Sequence, residues 1–325
     1  MSLLEERVVY KPFEYPKAFD YWLKQQQAHW LHTEVPMAQD VTDWKSNMKD
    51  HEKNVVGQIL KGFAQTETIV NDYWSTLVTK WFRKPEIIAM ATTFGAMETI
   101  HAEAYSLLNE ELGLDDFSEF LEDETTMAKI ENLMSVRDSF NGEKDWHEIA
   151  KSLAIFSAFT EGVNLFSSFA ILLSFKMRNK LKGVGQIVEW SIRDESMHSE
   201  AGCWLFRTLI KENPELDTPD LKAAVTEAAL LSLQLELDFI EKVYELGDLE
   251  GCSKEDLICF IKHRVNTKLG DLGYDPVVNG IDPNALKRMK WFDSLSAGKQ
   301  HTDFFANRVT NYSKGVQNWD AASLF

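Results

Sequence analysis

Apolar residues recur at every third or fourth position along most of the chain, which is the spacing that places side chains on one face of an α-helix. Glycine and proline, which interrupt helices, number only 16 and 8 among 325 residues. The pattern therefore predicts an all-α protein. The predicted helices cover Pro16–His29, Asp50–Phe82, Pro85–Gly113, Asp115–Val136, Trp146–Met177, Gly183–Ile210, Thr218–Leu246 and Ser253–Lys268, with a loop at Asn279–Pro283.

Three polar residues interrupt the apolar stripe of the third predicted helix. Glu98, His101 and Tyr105 occupy core positions between Phe94 and Leu108. Burying a carboxylate and an imidazole without partners is costly, so the pattern predicts that these groups meet a partner in the core. A metal ion is one such partner.

The same arrangement recurs in a later helix, where Glu195 and His198 interrupt the stripe at the same spacing. Two further helices each place one glutamate in an apolar stripe, Glu67 and Glu161. Glu98 follows Glu67 by 31 residues and Glu195 follows Glu161 by 34, so two helical hairpins of similar size would form a site with approximate two-fold symmetry. Ferritin-like di-metal bundles use a glutamate from each of two helices and Glu-x-x-His from the other two. We therefore predict a ferritin-like helical bundle with a di-metal carboxylate site.

The candidate metal ligands are four glutamates and two histidines: Glu67, Glu98, His101, Glu161, Glu195 and His198. With neutral imidazoles they carry four negative charges, which two divalent ions would neutralise. Such ligands suit iron or manganese and argue against a thiolate zinc site. Buried ion pairs are the competing interpretation, but these inner stripes contain no lysine or arginine, and the neighbouring Arg193 lies off the stripe.

Two residues close to the motifs have more than one interpretation. Asp194 points about 100° around the helix from Glu195. It could accept a hydrogen bond from a ligating histidine, or it could be a solvated aspartate. Tyr105 lies within about 6 Å of His101 by helix spacing. It is either a core tyrosine bonded to a ligand carboxylate or a redox-active phenol.

Composition narrows the cellular setting. The formal net charge of −17 argues against nucleic-acid binding, and solubility accounts for most of it. The three cysteines lack zinc-type spacing, which favours a reducing, cytoplasmic setting, and the N-terminus lacks the architecture of a signal peptide. The apolar segment Leu153–Phe175 contains Glu161 and Asn164, so we interpret it as a buried helix rather than a membrane span.

The helical pattern ends near Gly298, and the remaining sequence is rich in Asn, Ser and Gly. We predict a helical metal-binding domain over residues 1–299 and a flexible C-terminal tail with aromatic anchors over residues 300–325.

Together these residues resemble the small, radical-generating subunit of class I ribonucleotide reductase. The resemblance extends from the Trp30 region to the tail and rests on Glu67, Glu98-x-x-His101-x-x-x-Tyr105, Glu161 and Arg193-Asp194-Glu195-x-x-His198. It implies that the six candidate ligands bind the metals and that Tyr105 occupies the position of the radical tyrosine. Trp30 and Asp194 match the radical-transfer pair coupled to the first metal through His101. Tyr312 matches the tail tyrosine that passes the oxidant to the large subunit.

The resemblance also implies cofactors and partners. Two metal ions are expected, as di-iron, manganese–iron or dimanganese. Glu67 stands where many tyrosyl-radical members have aspartate, and a glutamate there is familiar in subclasses that use manganese. Leu165 and Ser191 stand where many members pack bulky apolar residues. The expected assembly is a homodimer that binds the large catalytic subunit through its C-terminal tail and passes it the oxidant for the reduction of ribonucleoside diphosphates to deoxyribonucleotides. No contact with nucleic acid or membrane is expected.

Two other functions use similar residues. A stand-alone ferritin-like di-metal oxygenase or oxidase would employ the same six ligands, but it would need a substrate cavity and no Tyr312 tail. A non-enzymatic iron-storage protein is a third interpretation, although ferritin-type cages are built from much shorter chains.

Overall fold

The computed structural model of the chain describes residues 2–114, 116–138, 145–245 and 247–297. Within these ranges the regular structure is helical and contains no strand, so the all-α prediction is confirmed. The α-helices are α1 (Pro16–Gln27), α2 (Ala38–Ser46), α3 (Asp50–Asp72), α4 (Thr79–Trp81), α5 (Pro85–Leu112), α6 (Ser118–Leu121), α7 (Glu124–Asp138), α8 (Trp146–Ile155), α9 (Phe166–Met177), α10 (Lys182–Glu212), α11 (Pro219–Glu245), α12 (Lys254–Leu272), α13 (Pro283–Arg288) and α14 (Lys290–Ala297). Two π-helical turns cover Tyr73–Val78 and Phe156–Thr160, and 3-10 turns cover His32–Glu34 and Pro214–Leu216.

The centre of the bundle is formed by α3, α5 and α10 together with the chain between α8 and α9. Helix α3 packs along α5, while α10 packs against α8, α9 and the π turn Phe156–Thr160. The apolar stripes of these elements are buried, as at Leu60, Phe94, Ala158 and Val188. Burial of apolar surface is the main favourable term in folding, so it carries the polar residues that interrupt these stripes into the core.

Local signals determine where the two long ligand helices begin and end. Pro85 lies in the first turn of α5, where its missing N–H is not needed, and Gly113 follows the last turn with a φ of 71°. At the start of α10, the Asp40 carboxylate accepts hydrogen bonds from the N–H groups of Gly183 and Val184 at 3.0 and 2.8 Å. The start of α10 is therefore held by a tertiary hydrogen-bond acceptor, and α5 begins and ends at residues suited to helix termini.

The predicted helix Trp146–Met177 is interrupted at its functional residue. It consists of α8, the π turn Phe156–Thr160, an irregular turn over residues 161–165, and α9. The N–H of Glu161 bonds to the carbonyl of Phe156, five residues back, at 3.1 Å. Apolar periodicity does not reveal such a turn, because the apolar stripe continues through the π turn and only moves around the helix axis.

The observed helices differ from the predicted ones at three further places. The predicted helix Asp115–Val136 is divided into α6 and α7, and α13 and α14 follow the predicted loop without having been predicted. Helix α2 also lies outside the predicted helices, and it contains Asp43. Asp43 is buried there and accepts the Leu181 N–H at 3.1 Å, so a tertiary hydrogen bond explains its position.

Two sequence expectations concern regions away from the core. Among the described residues, no helix is both long enough and apolar enough to cross a membrane. The predicted tail, residues 300–325 with Tyr312, lies outside the described ranges.

Candidate metal centre

The six predicted ligands are buried together at the centre of the bundle. Their side-chain atoms form two overlapping groups, and within each group one atom per residue lies within 4.8 Å of the others. The groups are Glu67, Glu98, His101 and Glu195, and Glu98, Glu161, Glu195 and His198. Glu98 and Glu195 belong to both groups, so each could contribute oxygens to both candidate positions.

The first group is closed by His101, whose Nδ1 faces the carboxylates. This atom lies 2.9 Å from Glu98 Oε2 and 3.0 Å from Glu195 Oε1. Glu67 completes the group from the regular helix α3. Helices α3, α5 and α10 therefore supply one imidazole nitrogen and oxygens from three carboxylates to one position.

The second group is closed by His198, whose Nδ1 lies 2.7 Å from Glu98 Oε1 and 3.9 Å from Glu195 Oε2. Glu161 reaches the group from the irregular turn after Phe156–Thr160. Its Oε1 accepts a hydrogen bond from the indole N–H of Trp74, which leaves Oε2 without a hydrogen-bond donor among the described residues. Glu161 can therefore offer one unengaged oxygen to the second position.

Burial raises the pKa values of three of these glutamates. The pKa of Glu67 lies well above its ordinary value because of burial and the nearby Glu98 carboxylate. The pKa of Glu161 is raised likewise by burial and by Glu195. Burial and the charge of Glu98 raise the pKa of Glu195 to about 8. Unless a cation is bound, burial therefore favours the protonated form of these carboxyl groups.

Glu98 behaves in the opposite way. Although burial opposes it, the charges of His198 and His101 lower the pKa of Glu98 to about 2. Burial would lower the pKa values of the two histidines, but Glu98 raises both of them. A divalent cation would displace the protons held by these groups, so metal binding here is linked to proton release.

The donor atoms fit a pair of divalent cations better than a set of internal ion pairs. Within the described ranges both carboxylate oxygens of Glu67 are buried without a hydrogen-bond donor. In the same ranges, the buried oxygens of Glu98 and Glu195 face no donor other than Nδ1 of the two histidines. Buried carboxylates in that condition are costly, and a cation would compensate them. Carboxylate oxygens with two imidazoles suit iron or manganese.

Asp194 connects His101 to Trp30. Its Oδ2 lies 3.2 Å from His101 Nε2 and accepts the Trp30 indole N–H at 2.7 Å. Arg193 donates to the other oxygen at 3.3 Å. Although burial opposes it, the His101 hydrogen bond and the Arg193 charge lower the pKa of Asp194 to about 2. Asp194 is therefore a buried, ionised acceptor where a histidine-orienting carboxylate is expected, not a solvated aspartate.

A second tryptophan extends this connection toward the surface. The Trp30 ring is stacked on His101, with centroids 5.6 Å apart and an interplanar angle of 20°. The Trp30 ring also contacts the half-buried Trp190, at 5.2 Å between centroids. A continuous series of side chains thus leads outward from His101.

Tyr105 lies one turn beyond His101, in the same buried region. Its hydroxyl donates to Ser191 Oγ at 2.8 Å, and its ring centroid lies 4.7 Å from that of Phe63. Burial and the charge of Glu67 raise its pKa well above the ordinary value. The alternative in which a ligand carboxylate accepts this hydroxyl is wrong, because the acceptor is Ser191.

Sequence reasoning missed two residues at the site. Gln25 on α1 places its Oε1 3.1 Å from His198 Nε2. Helix α1 supplies no ligand, so periodicity gives no reason to place Gln25 there. Trp74, the donor to Glu161, was detectable, because it follows Glu67 by seven residues and so shares its helix face.

Inward-facing side chains of this kind, with a glutamate from each of two segments and Glu-x-x-His from each of two helices, define the ferritin-like di-metal carboxylate proteins. Comparison with known proteins narrows the class. The sequence model of the family described as ribonucleotide reductase, small chain, matches residues 7–284. The chain belongs to this family, and the resemblance carried by its motifs is confirmed.

Individual relatives agree with this assignment. The chain is 34% identical to a protein of Invertebrate iridescent virus 6 that is named a probable ribonucleoside-diphosphate reductase small subunit, over 96% of each chain. It is 25% identical to the ribonucleoside-diphosphate reductase subunit beta of Chlamydia pneumoniae, over 95% of this chain and 91% of that one. These names identify a component of an oxidoreductase, as predicted.

Solved structures support the fold. The dimanganese(II) NrdF of Streptococcus sanguinis superimposes with a TM-score of 0.75 at 22% identity, covering 88% of this chain and 99% of that one. The ribonucleotide reductase R2 subunit of Clostridium botulinum gives a TM-score of 0.79 at 18% identity, covering 91% and 94%. The predicted ferritin-like helical bundle is confirmed.

Proposed function

We propose that the protein is the radical-generating small subunit of a class I ribonucleoside-diphosphate reductase. The observation that carries the proposal is the buried connection from His101 through Asp194 to Trp30. A protein that delivers an oxidising equivalent to another subunit needs such a connection, whereas a stand-alone oxygenase does not. The names of the relatives also do not favour the stand-alone alternative.

The two groups of side chains would each hold one metal ion, with Glu98 and Glu195 shared between them. Redox-active ions bound there would supply a one-electron oxidising equivalent. The donor set suits iron, manganese or one of each. The protein's own contribution is to fix both positions in a buried site. Among the described residues, Trp74 is the one donor outside the candidate ligand set that bonds to the four carboxylates.

His101, Asp194 and Trp30 would move charge and orient the ring. Because Nδ1 of His101 faces the carboxylates, its Nε2–H is left to donate to Asp194. Oxidation makes an indole N–H more acidic, and Asp194 Oδ2, at 2.7 Å from Trp30 Nε1, is placed to take that proton. Trp30 can therefore lose an electron without building up a full positive charge in the core.

Tyr105 occupies the position of a radical tyrosine, but its surroundings favour an oxidant that resides on the metals. A phenol that loses an electron also gives up its proton, and the Tyr105 hydroxyl faces the neutral hydroxyl of Ser191 rather than a carboxylate. Ser191 is a poor proton acceptor. A metal-centred oxidant would not need that transfer.

The remaining parts of the proposal concern assembly. The large catalytic subunit would bind the C-terminal tail, residues 300–325, and Tyr312 would pass the oxidant to it. The small subunit would act as a homodimer in the cytoplasm, where free thiols such as those of Cys203, Cys252 and Cys259 remain reduced. These elements rest on the family resemblance and on the sequence of the tail.

Reconstitution with the cognate large subunit tests the function. The metal-loaded protein should support reduction of ribonucleoside diphosphates, and Tyr312→Phe should lower turnover to background while metal content stays at two per chain. Tyr10→Phe is the matched control, because Tyr10 is exposed and lies far from Tyr312 in the sequence. This variant should be fully active. Full turnover in Tyr312→Phe would overturn the proposed transfer path, and no turnover in the wild type would overturn the function.

A further inference from the structure

A cavity next to Glu161 has no part in the transfer path described above. It lies between α3, α7, α9 and α11 and has a volume of about 50 Å³. By this measure one water molecule needs about 10–15 Å³, so the cavity has room for a small molecule. Its outer residues, including Thr66, Lys129 and Asn164, are half-buried, whereas Val70 and Glu161 at its inner end are buried. The cavity therefore extends from near the surface to a predicted metal ligand.

The walls of the cavity are mainly apolar. Ile59, Ile130, Leu133, Leu165 and Phe239 line it, and all five are buried. Apolar cavities of this kind stay dry and bind apolar guests, including xenon, because water gains too few hydrogen bonds inside them. The lining therefore favours a neutral, apolar guest over a hydrated ion.

Among the described residues that line the cavity, Lys129 is the cationic one, and its charge is compensated by a carboxylate. Lys129 forms an ion pair with the buried Glu236, which also accepts the Ser167 hydroxyl. The Lys129 ammonium further donates to the Asn164 carbonyl at 2.9 Å. Because its charge is compensated at contact distance, Lys129 gives the cavity little attraction for an anion such as superoxide.

We propose that this cavity binds dioxygen and delivers it to the Glu161 side of the metal centre. The proposal rests on the proposed function, since it concerns how the oxidant reaches the buried site. Dioxygen is neutral, apolar and small enough for the cavity. The opposite side of the centre is blocked by Asp194, Trp30 and Arg193, which pack behind His101.

Xenon tests the cavity without any metal. The metal-free, full-length protein should bind xenon between Leu165 and Phe239, as observed by xenon NMR or by anomalous scattering from a pressurised crystal. Thr66→Phe, which places a ring in the cavity, should abolish this site. Thr68→Phe is the matched control: Thr68 also flanks Glu67 and also bonds to a carbonyl three residues back, but it is exposed and does not line the cavity.

Oxygen kinetics test delivery. Each protein is loaded anaerobically with Fe(II), its iron content is measured, and it is mixed with dioxygen, which oxidises Fe(II) to Fe(III) and is itself reduced. Thr66→Phe should bind as much iron as the wild type but be oxidised roughly tenfold more slowly or worse. Thr68→Phe should match the wild type. Ser168→Leu fills the cavity from α9 and replaces Thr66→Phe if that variant does not fold.

Several results would overturn the delivery proposal: no xenon in the cavity, an unchanged oxidation rate in the filled variants, or iron-loaded protein that reacts with superoxide but not with dioxygen. Failure of the proposed function looks different. Wild-type protein that takes up no metal would refute the metal centre, and the xenon measurement would then decide alone whether the cavity accepts an apolar gas.

Discussion

The two halves of the metal centre contain the same ligand types but differ in what lies behind them. Behind His101 is the ionised Asp194, which also accepts the Trp30 N–H, whereas behind His198 is the neutral amide of Gln25. A carboxylate strongly increases the electron density of the imidazole and can take up a proton, whereas a neutral amide oxygen increases it less and is a poor proton acceptor. The His101 half is therefore suited to carry charge out of the core.

The backbones that carry the two unshared glutamates also differ. Glu67 belongs to the regular helix α3, while Glu161 follows a π turn and borders the cavity. π turns inside α-helices are frequent at functional sites, because the irregular backbone can place one side chain where a regular helix would not. The His198 half thus borders an apolar cavity, and the His101 half contacts the Trp30 ring directly and through Asp194. Approximate two-fold symmetry in the ligands does not make the halves equivalent.

The largest expected effect separates shared ligands from unshared ones. Glu98→Ala should lose both metals, since Glu98 belongs to both groups, and should abolish turnover. Glu67→Ala and Glu161→Ala should each lose only one, because each residue belongs to one group. Metal content after reconstitution measures this. Two full equivalents in Glu98→Ala would refute the assignment of a bridging ligand.

The next largest effect should come from Asp194 and Gln25, which bond to the two histidines. Asp194→Asn keeps the shape but removes the charge, so turnover with the large subunit should fall roughly 100-fold or more while both metals remain. Trp30→Phe should behave alike. Gln25→Leu should instead weaken metal binding at the His198 position. It should reduce turnover only in proportion to the metal that is lost. Equal losses of turnover at equal metal content in Asp194→Asn and Gln25→Leu would mean that the halves are not specialised.

Tyr105 sharpens the comparison, because it lies in the His101 half but off the connection to Trp30. Tyr105→Phe should retain most of the turnover if the oxidant resides on the metals, since it removes only the hydroxyl that bonds to Ser191. Electron paramagnetic resonance of the activated wild type should then show a metal signal. A tyrosyl signal together with an inactive Tyr105→Phe protein would place the oxidant on the phenol instead.

A smaller effect should appear in stability, to which both halves contribute. The folded pKa of Glu195 is about 8, above its ordinary 4.5, so between these values the folded metal-free protein holds more protons than the unfolded chain. Its free energy of unfolding should therefore fall as pH rises, by about 1–3 kcal/mol from pH 6 to pH 8. Urea unfolding at the two pH values measures this, and saturation with iron or manganese should raise stability at both.

Single substitutions test whether both halves of the site contribute to this pH dependence of stability. Glu67→Gln and Glu161→Gln should each reduce the pH dependence, because burial raises the pKa of both residues. A response from only one of them would show that the electrostatics, like the surroundings, are unequal. Melting temperatures that do not change on adding metal would argue against a preformed cage of four carboxylates.

The sequence contained enough to predict which carboxylates and histidines come together in the core, but not what surrounds them. Glu98, His101, Glu195 and His198 are visible because each breaks an apolar stripe in a regular helix, where three- and four-residue spacing reports the buried face. Gln25 is not visible in this way, because only packing between separate helices brings it to His198. Local periodicity contains no information about such contacts.

The irregular half was the harder one to predict. Glu161 was identified from a stripe that assumes a continuous helix, and the structure replaces that helix with a π turn and an irregular turn. The residue still faces the site, because the change of backbone occurs immediately before it. The cavity that borders it depends on how α3, α7, α9 and α11 meet, which no single stripe records.

Anomalous diffraction from crystals of metal-loaded protein, measured at the iron and manganese absorption edges, tests the central claim most directly. The structure predicts two peaks per chain, one among Glu67, Glu98, His101 and Glu195 and the other among Glu98, Glu161, Glu195 and His198. A single peak, or peaks outside these groups, would contradict the assignment of a dinuclear centre with two specialised halves.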